Sequence, residues 1–266
     1  QLIGTWNADN NNRVAIDYNG LSPHLVHALV ATEDERFYEH SGVDFIALGR
    51  AVVKRGVMGQ ASAGGGSTIT QQLAKQLFSE KAHSTVERLL QKPIEWIIAV
   101  KLERYFTKEE ILAMYFNYFD FLHNAVGIKR AANVYFNKEP RKLTVTESAM
   151  LVGLCKNPSM FNPLRHPERC LQRRNVVLMQ MVKSGYVTKD EYKELSQRPL
   201  GLHFTRSKPV SGAGDYFQAF LRQYMMAKKP ERENYQSWQN RQFVLDSIAW
   251  EQDPLYGWCN KNTKRN

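Results

Sequence analysis

The chain has 266 residues, of which 43% are apolar and 23% charged, so it can bury a core in one large domain or two smaller ones. A net charge of +10 favours anionic partners: nucleic acid, anionic lipid headgroups or phosphorylated substrates. No apolar run approaches the roughly 18 residues of a transmembrane helix. The spacing of Cys155, Cys170 and Cys259 argues against a disulfide framework or a structural zinc site.

The first helix signal follows a polar, asparagine-rich segment. Ser22 and Pro23 are an N-cap residue and a proline at the first helical position, and apolar residues then recur at helical spacing. The pattern predicts a helix that runs to about residue 33. The next stretch, 43–58, is apolar and carries cations about one turn apart, which is typical of a helix lying on a membrane surface or of an ordinary amphipathic helix.

Between these two helices lies an acidic stretch, EDERFYEHSG (33–42), in an otherwise basic chain. It contains Glu33, Asp34, Glu35, Glu39 and His40. Charge density alone favours a solvated helix end. The position at a helix C-terminus is unfavourable for carboxylates, which weakly favours a proton acceptor over a structural residue.

A glycine-rich loop (59–66) precedes the next helix, which begins with a capping box between Thr68 and Gln71. Thr68, Gln72 and Lys75 are spaced to share one face of that helix. Backbone amides, the helix dipole and a lysine would then converge, and we expect an anion to bind there. The Walker pattern is absent.

Helix signals continue to residue 200, with no alternating strand pattern of useful length. A long apolar helix is predicted over 86–104, kinked or restarted at Pro93, with Glu95 among apolar neighbours. Further helix starts are the capping boxes Thr107–Glu110, Thr144–Glu147 and Thr188–Glu191, and Pro167, whose helix Gly185 closes. The predicted fold class is mainly α. From about residue 206 the sequence becomes linker-like, a helix is predicted over 215–226, and residues 228–266 are polar and indicate connecting sequence.

With these pieces in order, residues 20–205 resemble the peptidoglycan glycosyltransferases, glycosyltransferase family 51. Five ordered motifs carry the resemblance: EDERFYEHSG from Glu33, GGGSTITQQLAKQLF from Gly64, QKPIE from Gln91, KEEILAMYFN from Lys108 and QRRNVVL from Gln172. Two positions depart from the family pattern, since Gln91 replaces an arginine and Gln76 an asparagine. The penicillin-binding transpeptidase signature is missing.

The resemblance implies a lysozyme-like helical lobe with a smaller membrane-apposed jaw. It divides the chain into a glycosyltransferase domain (1–205, with a mobile jaw at about 43–66) and a connector (206–266) toward a missing transpeptidase domain. The implied partners are lipid II, a lipid-linked glycan strand, the membrane surface and other cell-wall synthesis proteins, with no nucleic acid. The implied location is the outer face of the bacterial cytoplasmic membrane, with an anchor in a missing N-terminal helix.

The resemblance also implies roles for single residues. Glu33 would be the general base, and Asp34 would support it or order the loop. Glu95 would assist at the donor pyrophosphate, directly or through a divalent cation (Mg²⁺ or Mn²⁺), which stays an open cofactor. The residues expected at the substrate are Thr68, Gln72, Lys75, Phe37, His40, Lys92, Asn117 and either Arg173 or Arg174. Of these, His40 is expected to be mainly structural.

Three other functions compete with this one. A lysozyme-like hydrolase would use Glu33 as an acid and would need no phosphate-binding residues. A scaffold that binds lipid II without turnover is kept open by Gln91. A nucleic-acid-binding module ranks far below both, because its cations should cluster on one helix, whereas here they are spread along the chain.

Overall fold

The computed structural model describes residues 14–56, 66–78, 85–205 and 215–262, and within these ranges the fold is built from α-helices. The helices are α1 Pro23–Glu33, α2 Phe45–Gly56, α3 Ile69–Phe78, α4 Thr85–Tyr105, α5 Lys108–Tyr118, α6 Ile128–Phe136, α7 Val145–Lys156, α8 Pro167–Lys183, α9 Lys189–Gln197, α10 Asp215–Met225, α11 Asn240–Gln252 and α12 Trp258–Asn262. The described residues form no β-strand, only one isolated bridge between Asp120 and Val126. The mainly-α prediction is confirmed.

The helix starts lie where the sequence places them, because the signals are local. Ser22 is the N-cap of α1, with Pro23 at its first position. The Thr68–Gln71 capping box is formed in both directions. The backbone N–H of Gln71 donates to Thr68 Oγ1 at 3.1 Å, and the backbone N–H of Thr68 donates to Gln71 Oε1 at 3.2 Å. The three remaining boxes, at the starts of α5, α7 and α9, are reciprocal in the same way.

One hydrophobic core joins the described residues between 14 and 205, with α7 at its centre. Every residue of α7 from 147 to 154 is buried, so this helix is enclosed on all sides. α1 and α8 pack against α7, and α9 packs against α8. α3 packs against α4 and α5. The two groups of helices meet at the C-terminal end of α1, where the acidic stretch begins.

Helix α4 faces the core with a polar residue. It runs without interruption through Pro93, so the predicted restart does not occur. Glu95 is only 1% exposed, whereas the neighbouring Ile94 and Ile97 are 58% and 59% exposed. Periodicity alone favours the opposite arrangement for a soluble helix. An apolar face turned outward therefore accompanies a carboxylate turned inward.

The predicted jaw (43–66) is described only in part. Its helix α2 begins after Asp44, whose Oδ1 accepts the backbone N–H groups of Ile46 and Ala47 at 2.9 Å each and so acts as an N-cap. Phe45 and Ile46 are 70% and 63% exposed. Most of the glycine-rich loop lies outside the described residues, as do the side chains of 51–56.

Residues 14–205 belong to one compact unit and 215–262 to another, with the division at 207/208, close to the predicted boundary at 205/206. The second unit contains the helix predicted from residue 215, but the interpretation of residues 228–266 as connecting sequence missed α11 and α12. Tyr224 of α10 and Tyr235 are joined to α11, since their hydroxyls donate to Asp253 Oδ2 at 2.6 Å and to Asp246 Oδ2 at 2.8 Å. None of the described helices has the length and apolar character needed to cross a membrane.

Candidate active site

A polar cleft of about 270 Å³ opens where α1 ends. Glu33 is the last residue of α1, and Asp34 is its C-cap. The cleft is lined by residues of α1, the acidic stretch, α2, α8 and the segment before α3: Ala31, Thr32, Glu33, Asp34, Glu35, Arg36, Asp44, Ala47, Arg50, Gly66, Ser67, Thr68 and Gln180. The Glu33 side chain is 18% exposed, so its carboxylate is held by the protein and still reaches solvent.

Two side chains hold the Glu33 carboxylate, one on each oxygen. Gln72 Nε2, from α3, donates to Oε2 at 3.0 Å. A terminal guanidinium nitrogen of Arg173, from α8, lies 3.5 Å from Oε1. Burial lowers the pKa of Arg173, and the nearby Glu33 charge partly offsets that effect. Each carboxylate oxygen retains a lone pair for a further hydrogen bond. Glu33 is therefore oriented, with acceptor capacity left for a ligand in the cleft.

Beneath Glu33 lie two groups that stay neutral. Tyr115 is fully buried, and its hydroxyl donates to Gln72 Oε1 at 3.1 Å. Burial raises the pKa of Tyr115 well above its usual value, and its neighbours Cys155 and Glu33 raise it further. Burial likewise raises the pKa of the Cys155 thiol, and Glu33 adds to the effect. Tyr115 lies in the fourth motif but was not predicted as a site residue, because a tyrosine at that spacing is typical of a core residue.

Asp34 has a structural position beside Glu33. Its Oδ2 accepts the backbone N–H of Ile69, the first residue of α3, at 3.0 Å. His40 Nε2 lies 3.0 Å from the same oxygen, while His40 Nδ1 accepts the Gly42 N–H at 3.2 Å. With Nδ1 used as an acceptor, the neutral ring donates through Nε2 to Asp34. Asp34 thus joins the end of α1 to the start of α3.

A second buried carboxylate, Glu103 of α4, supports this arrangement and was also missed. Glu103 Oε1 accepts the Thr70 hydroxyl at 2.6 Å, and its Oε2 pairs with Lys108 Nζ at 2.5 Å. Lys108 in turn donates to the carbonyl of His40 at 2.7 Å. No pattern in the sequence links these three positions, because they come from three different helices.

Gly42 allows the acidic stretch to lie against α4. Its φ is +95°, and a Cβ there would be 2.7 Å from the Ala99 backbone. Both facts disfavour any side chain. We expect Gly42→Ala to lower the free energy of unfolding by about 2–4 kcal/mol, measured by denaturant titration.

Gly49 of α2 provides the matched control for this substitution. A Cβ at Gly49 meets nothing within 4 Å. Because alanine is the better helix former, Gly49→Ala should leave stability unchanged or raise it by about 0.5–1 kcal/mol. Equal stability of Gly42→Ala and the parent would contradict the close approach to α4.

The predicted anion site at the start of α3 is not formed as expected. Thr68 is buried, and its hydroxyl donates to the carbonyl of Gly42 at 2.7 Å. The N–H groups of Thr68, Ile69 and Gln71 already have side-chain acceptors. Lys75 is exposed in the last turn of α3, about 10 Å along the helix axis from Thr68. The prediction that backbone amides and a lysine converge on one anion is therefore wrong. Lys75 nevertheless shares a face of α3 with Gln72, one turn away.

Three further residues expected at the substrate have structural contacts instead. Phe37 is fully buried, with Lys108 Nζ 4.3 Å above its ring. Asn117 holds the N-terminal segment, since it donates to the carbonyl of Ile16 at 2.8 Å and accepts its N–H at 3.1 Å. Arg174 is 1% exposed and donates to backbone carbonyls in the last turn of α9 and just after it, among them that of Pro199 at 3.0 Å. Of the two arginines, Arg173 is the one beside Glu33.

Glu95 and Lys92 pair with each other on α4. Lys92 Nζ donates to Glu95 Oε2 at 2.9 Å. The described residues that line the cleft at Glu33 do not include either of them. In the described part of the chain, no three His, Cys, Asp or Glu side chains are arranged to hold a metal ion. A divalent cation at Glu95 stays a prediction from the resemblance.

The chain is similar to known proteins over most of its length. A family model described as transglycosylase matches residues 1–182. Penicillin-binding protein 1A of Aquifex aeolicus is 40% identical over 87% of this chain, and penicillin-binding protein 1F of Bacillus subtilis and 1A of Escherichia coli are each 38% identical over 80%. The chain spans 30%, 29% and 24% of the lengths of these relatives. It belongs to the transglycosylase family, as a peptidoglycan glycosyltransferase domain of the kind that class A penicillin-binding proteins carry.

Proposed function

We propose that this chain polymerises lipid II into glycan strands by an inverting displacement, with undecaprenyl pyrophosphate as the leaving group. The observation that supports it most is the Glu33 carboxylate, which is oriented by Gln72 and Arg173 and opens onto a polar cleft. A general base needs this combination of fixed position and access to the proton it removes.

In the proposed reaction, a Glu33 oxygen takes the proton from the 4-hydroxyl of the acceptor sugar. The acceptor oxygen then forms a bond to the anomeric carbon of the lipid-linked donor. The bond from that carbon to the pyrophosphate oxygen breaks, and the pyrophosphate leaves with the electron pair. Attack from the face opposite the leaving group inverts the anomeric centre.

Lys75 is the cation that we assign to the donor pyrophosphate. It is exposed on the face of α3 that carries Gln72, one turn further along the helix. A charge-assisted hydrogen bond to phosphate is worth about 1.5–3 kcal/mol. We therefore expect Lys75→Ala to lower kcat/KM for lipid II by roughly 10- to 100-fold, with an unchanged melting temperature.

The control for Lys75 is Lys101→Ala, which removes an exposed cation from α4. It should keep the parent kcat/KM, since Lys101 has no assigned contact with the donor. An equal loss in both variants would show only an effect of net charge. Unfolding of Lys75→Ala would indicate a structural lysine and contradict the assignment.

The exposed apolar side chains support a place at a membrane surface. Large apolar groups on α2, α3 and α4 are turned outward: Phe45, Ile46, Phe78, Ile94 and Ile97. Apolar exposure in a basic chain is typical of a surface that lies on anionic lipid. We propose that the domain works on the outer face of the cytoplasmic membrane, where its lipid-linked substrate and other cell-wall synthesis proteins are located.

A lysozyme-like hydrolase and a non-catalytic lipid II scaffold are the alternatives. One experiment separates all three: the chain is incubated with labelled lipid II and, in parallel, with finished peptidoglycan. Polymer formed from lipid II, without release of reducing ends from peptidoglycan, is the expected result. Reducing ends without polymer would favour the hydrolase. Binding of lipid II without either product would favour the scaffold.

A further inference from the structure

The side-chain amide of Gln72 lies between a hydrogen-bond acceptor and a hydrogen-bond donor. On one side Nε2 donates to Glu33 Oε2 at 3.0 Å, and on the other Oε1 accepts the Tyr115 hydroxyl at 3.1 Å. The two ends of an amide have nearly the same shape but opposite hydrogen-bonding character. Only one of its two orientations serves both neighbours, because the reverse one would place Oε1 against the carboxylate.

Tyr115 is suited to fix that orientation. Its ring is fully buried and packs edge-to-face with Phe116 at 5.7 Å and against Phe119 at 6.1 Å between ring centroids. Because burial raises its pKa well above the usual value, the phenol keeps its proton over the working pH range. That proton needs an acceptor, and the only strong one described is Gln72 Oε1; the nearby Cys155 sulfur accepts weakly.

We propose that Tyr115 is a positioning residue for glycosyl transfer: its hydroxyl holds the Gln72 amide in the orientation that directs Nε2–H to Glu33. The contacts run through three helices, from Tyr115 on α5 to Gln72 on α3 and Glu33 at the end of α1. Tyr115 itself touches neither substrate nor the reacting atoms. This proposal rests on the proposed role of Glu33 as the base.

Without the hydroxyl, the amide is free to turn over, and the carboxylate loses a donor. A base displaced by a fraction of an ångström still permits binding but slows proton removal. We expect Tyr115→Phe, which keeps the buried ring, to lower kcat for lipid II by about 10-fold with KM unchanged. A loss expressed in KM alone, or a parent-like kcat, would overturn the proposal.

A double-mutant cycle separates positioning from general loosening of the core. In a Gln72→Ala background there is no amide to orient, so adding Tyr115→Phe should change kcat by less than about twofold. If Tyr115→Phe lowers kcat by the same factor in both backgrounds, the role of Tyr115 is structural and the proposal fails. Should Tyr115→Phe not fold, Gln72→Met replaces it: its kcat should fall about 10-fold, and a parent-like kcat would overturn the proposal.

Tyr135→Phe is the matched control. Tyr135 is also fully buried, and its hydroxyl donates to the carbonyl of Phe121 at 2.6 Å, outside the contacts of Glu33. Loss of this hydroxyl should lower the melting temperature, because the buried Phe121 carbonyl loses its donor, and should leave kcat unchanged below the unfolding transition. If the parent chain and Tyr115→Phe both polymerise lipid II at the same rate, only the positioning role is refuted. If the parent chain itself is inactive, the proposed function is refuted.

Discussion

Replacing Glu33 by glutamine should lower the rate of lipid II polymerisation by roughly two to four orders of magnitude, the usual contribution of a general base. The substitution keeps the size of the side chain and removes its ability to accept a proton. Glu33 is 18% exposed at the end of α1 and is not part of the hydrophobic core. The fold and the melting temperature should therefore be retained.

Glu35 supplies the control, because it belongs to the same motif and lines the same cleft. Glu35 is exposed, whereas Glu33 is held by Gln72 and Arg173. If the cleft needs only negative charge, Glu35→Gln and Glu33→Gln should be impaired alike. We expect Glu35→Gln to keep near-parent turnover. Near-parent turnover by Glu33→Gln would remove Glu33 from the base role.

Asp34→Ala should have the largest effect on stability, about 2–5 kcal/mol less free energy of unfolding. The Asp34 side chain is buried and accepts the Ile69 N–H and the His40 ring N–H. Each buried donor that loses its acceptor costs about 1–3 kcal/mol. Polymerisation should fall as well, because α3 carries Gln72 and its first turn would lose its tie to the end of α1.

Asp34→Asn distinguishes hydrogen bonding from charge. An asparagine oxygen in the position of Oδ2 can serve both Ile69 and His40, with Nδ2 replacing Oδ1, which also lies 3.1 Å from His40 Nε2. Asp34→Asn should recover more than half of the stability lost in Asp34→Ala, measured by denaturant titration. Equal losses in the two variants would mean that the negative charge, and not the pair of hydrogen bonds, is what α3 requires.

The parts of this fold that could be predicted are those with local causes. Capping boxes and a proline at a first helical position act within four residues, so α1, α5, α7, α8 and α9 begin where the sequence indicates. The position of Glu33 at a helix C-terminus followed from the same kind of signal. The choice of Glu33 as the base came from the family resemblance and not from charge density.

Helical periodicity could not identify the partners of the site residues. It placed Thr68 on a ligand-binding face, but the side chain turns inward to the carbonyl of Gly42. It could not choose between Arg173 and Arg174, because adjacent residues differ by only 100° and the choice depends on where α9 and α1 lie. Periodicity also left open whether Glu95 is exposed or buried, and it is buried. These positions depend on contacts between helices far apart in the sequence.

The buried polar contacts could not be predicted from the sequence for the same reason. Tyr115 and Gln72 are 43 residues apart, and Thr70 and Glu103 are 33 apart. A tyrosine or a glutamate in an apolar helix carries no sign of which donor or acceptor it will meet. Such pairs become visible only when the helices are packed, and here they hold the side chains that the reaction is proposed to use.

Single-turnover transfer from pre-bound lipid II tests the role of Glu33 most directly, because it separates binding from chemistry. Labelled lipid II is bound to the parent chain and to Glu33→Gln, its affinity is measured, and the first glycosidic bond formed is followed in time. We predict equal affinity and a transfer step slowed by roughly two to four orders of magnitude in Glu33→Gln. Transfer at the parent rate from the bound state, or a loss explained wholly by weaker binding, would contradict the assignment of Glu33 as the base.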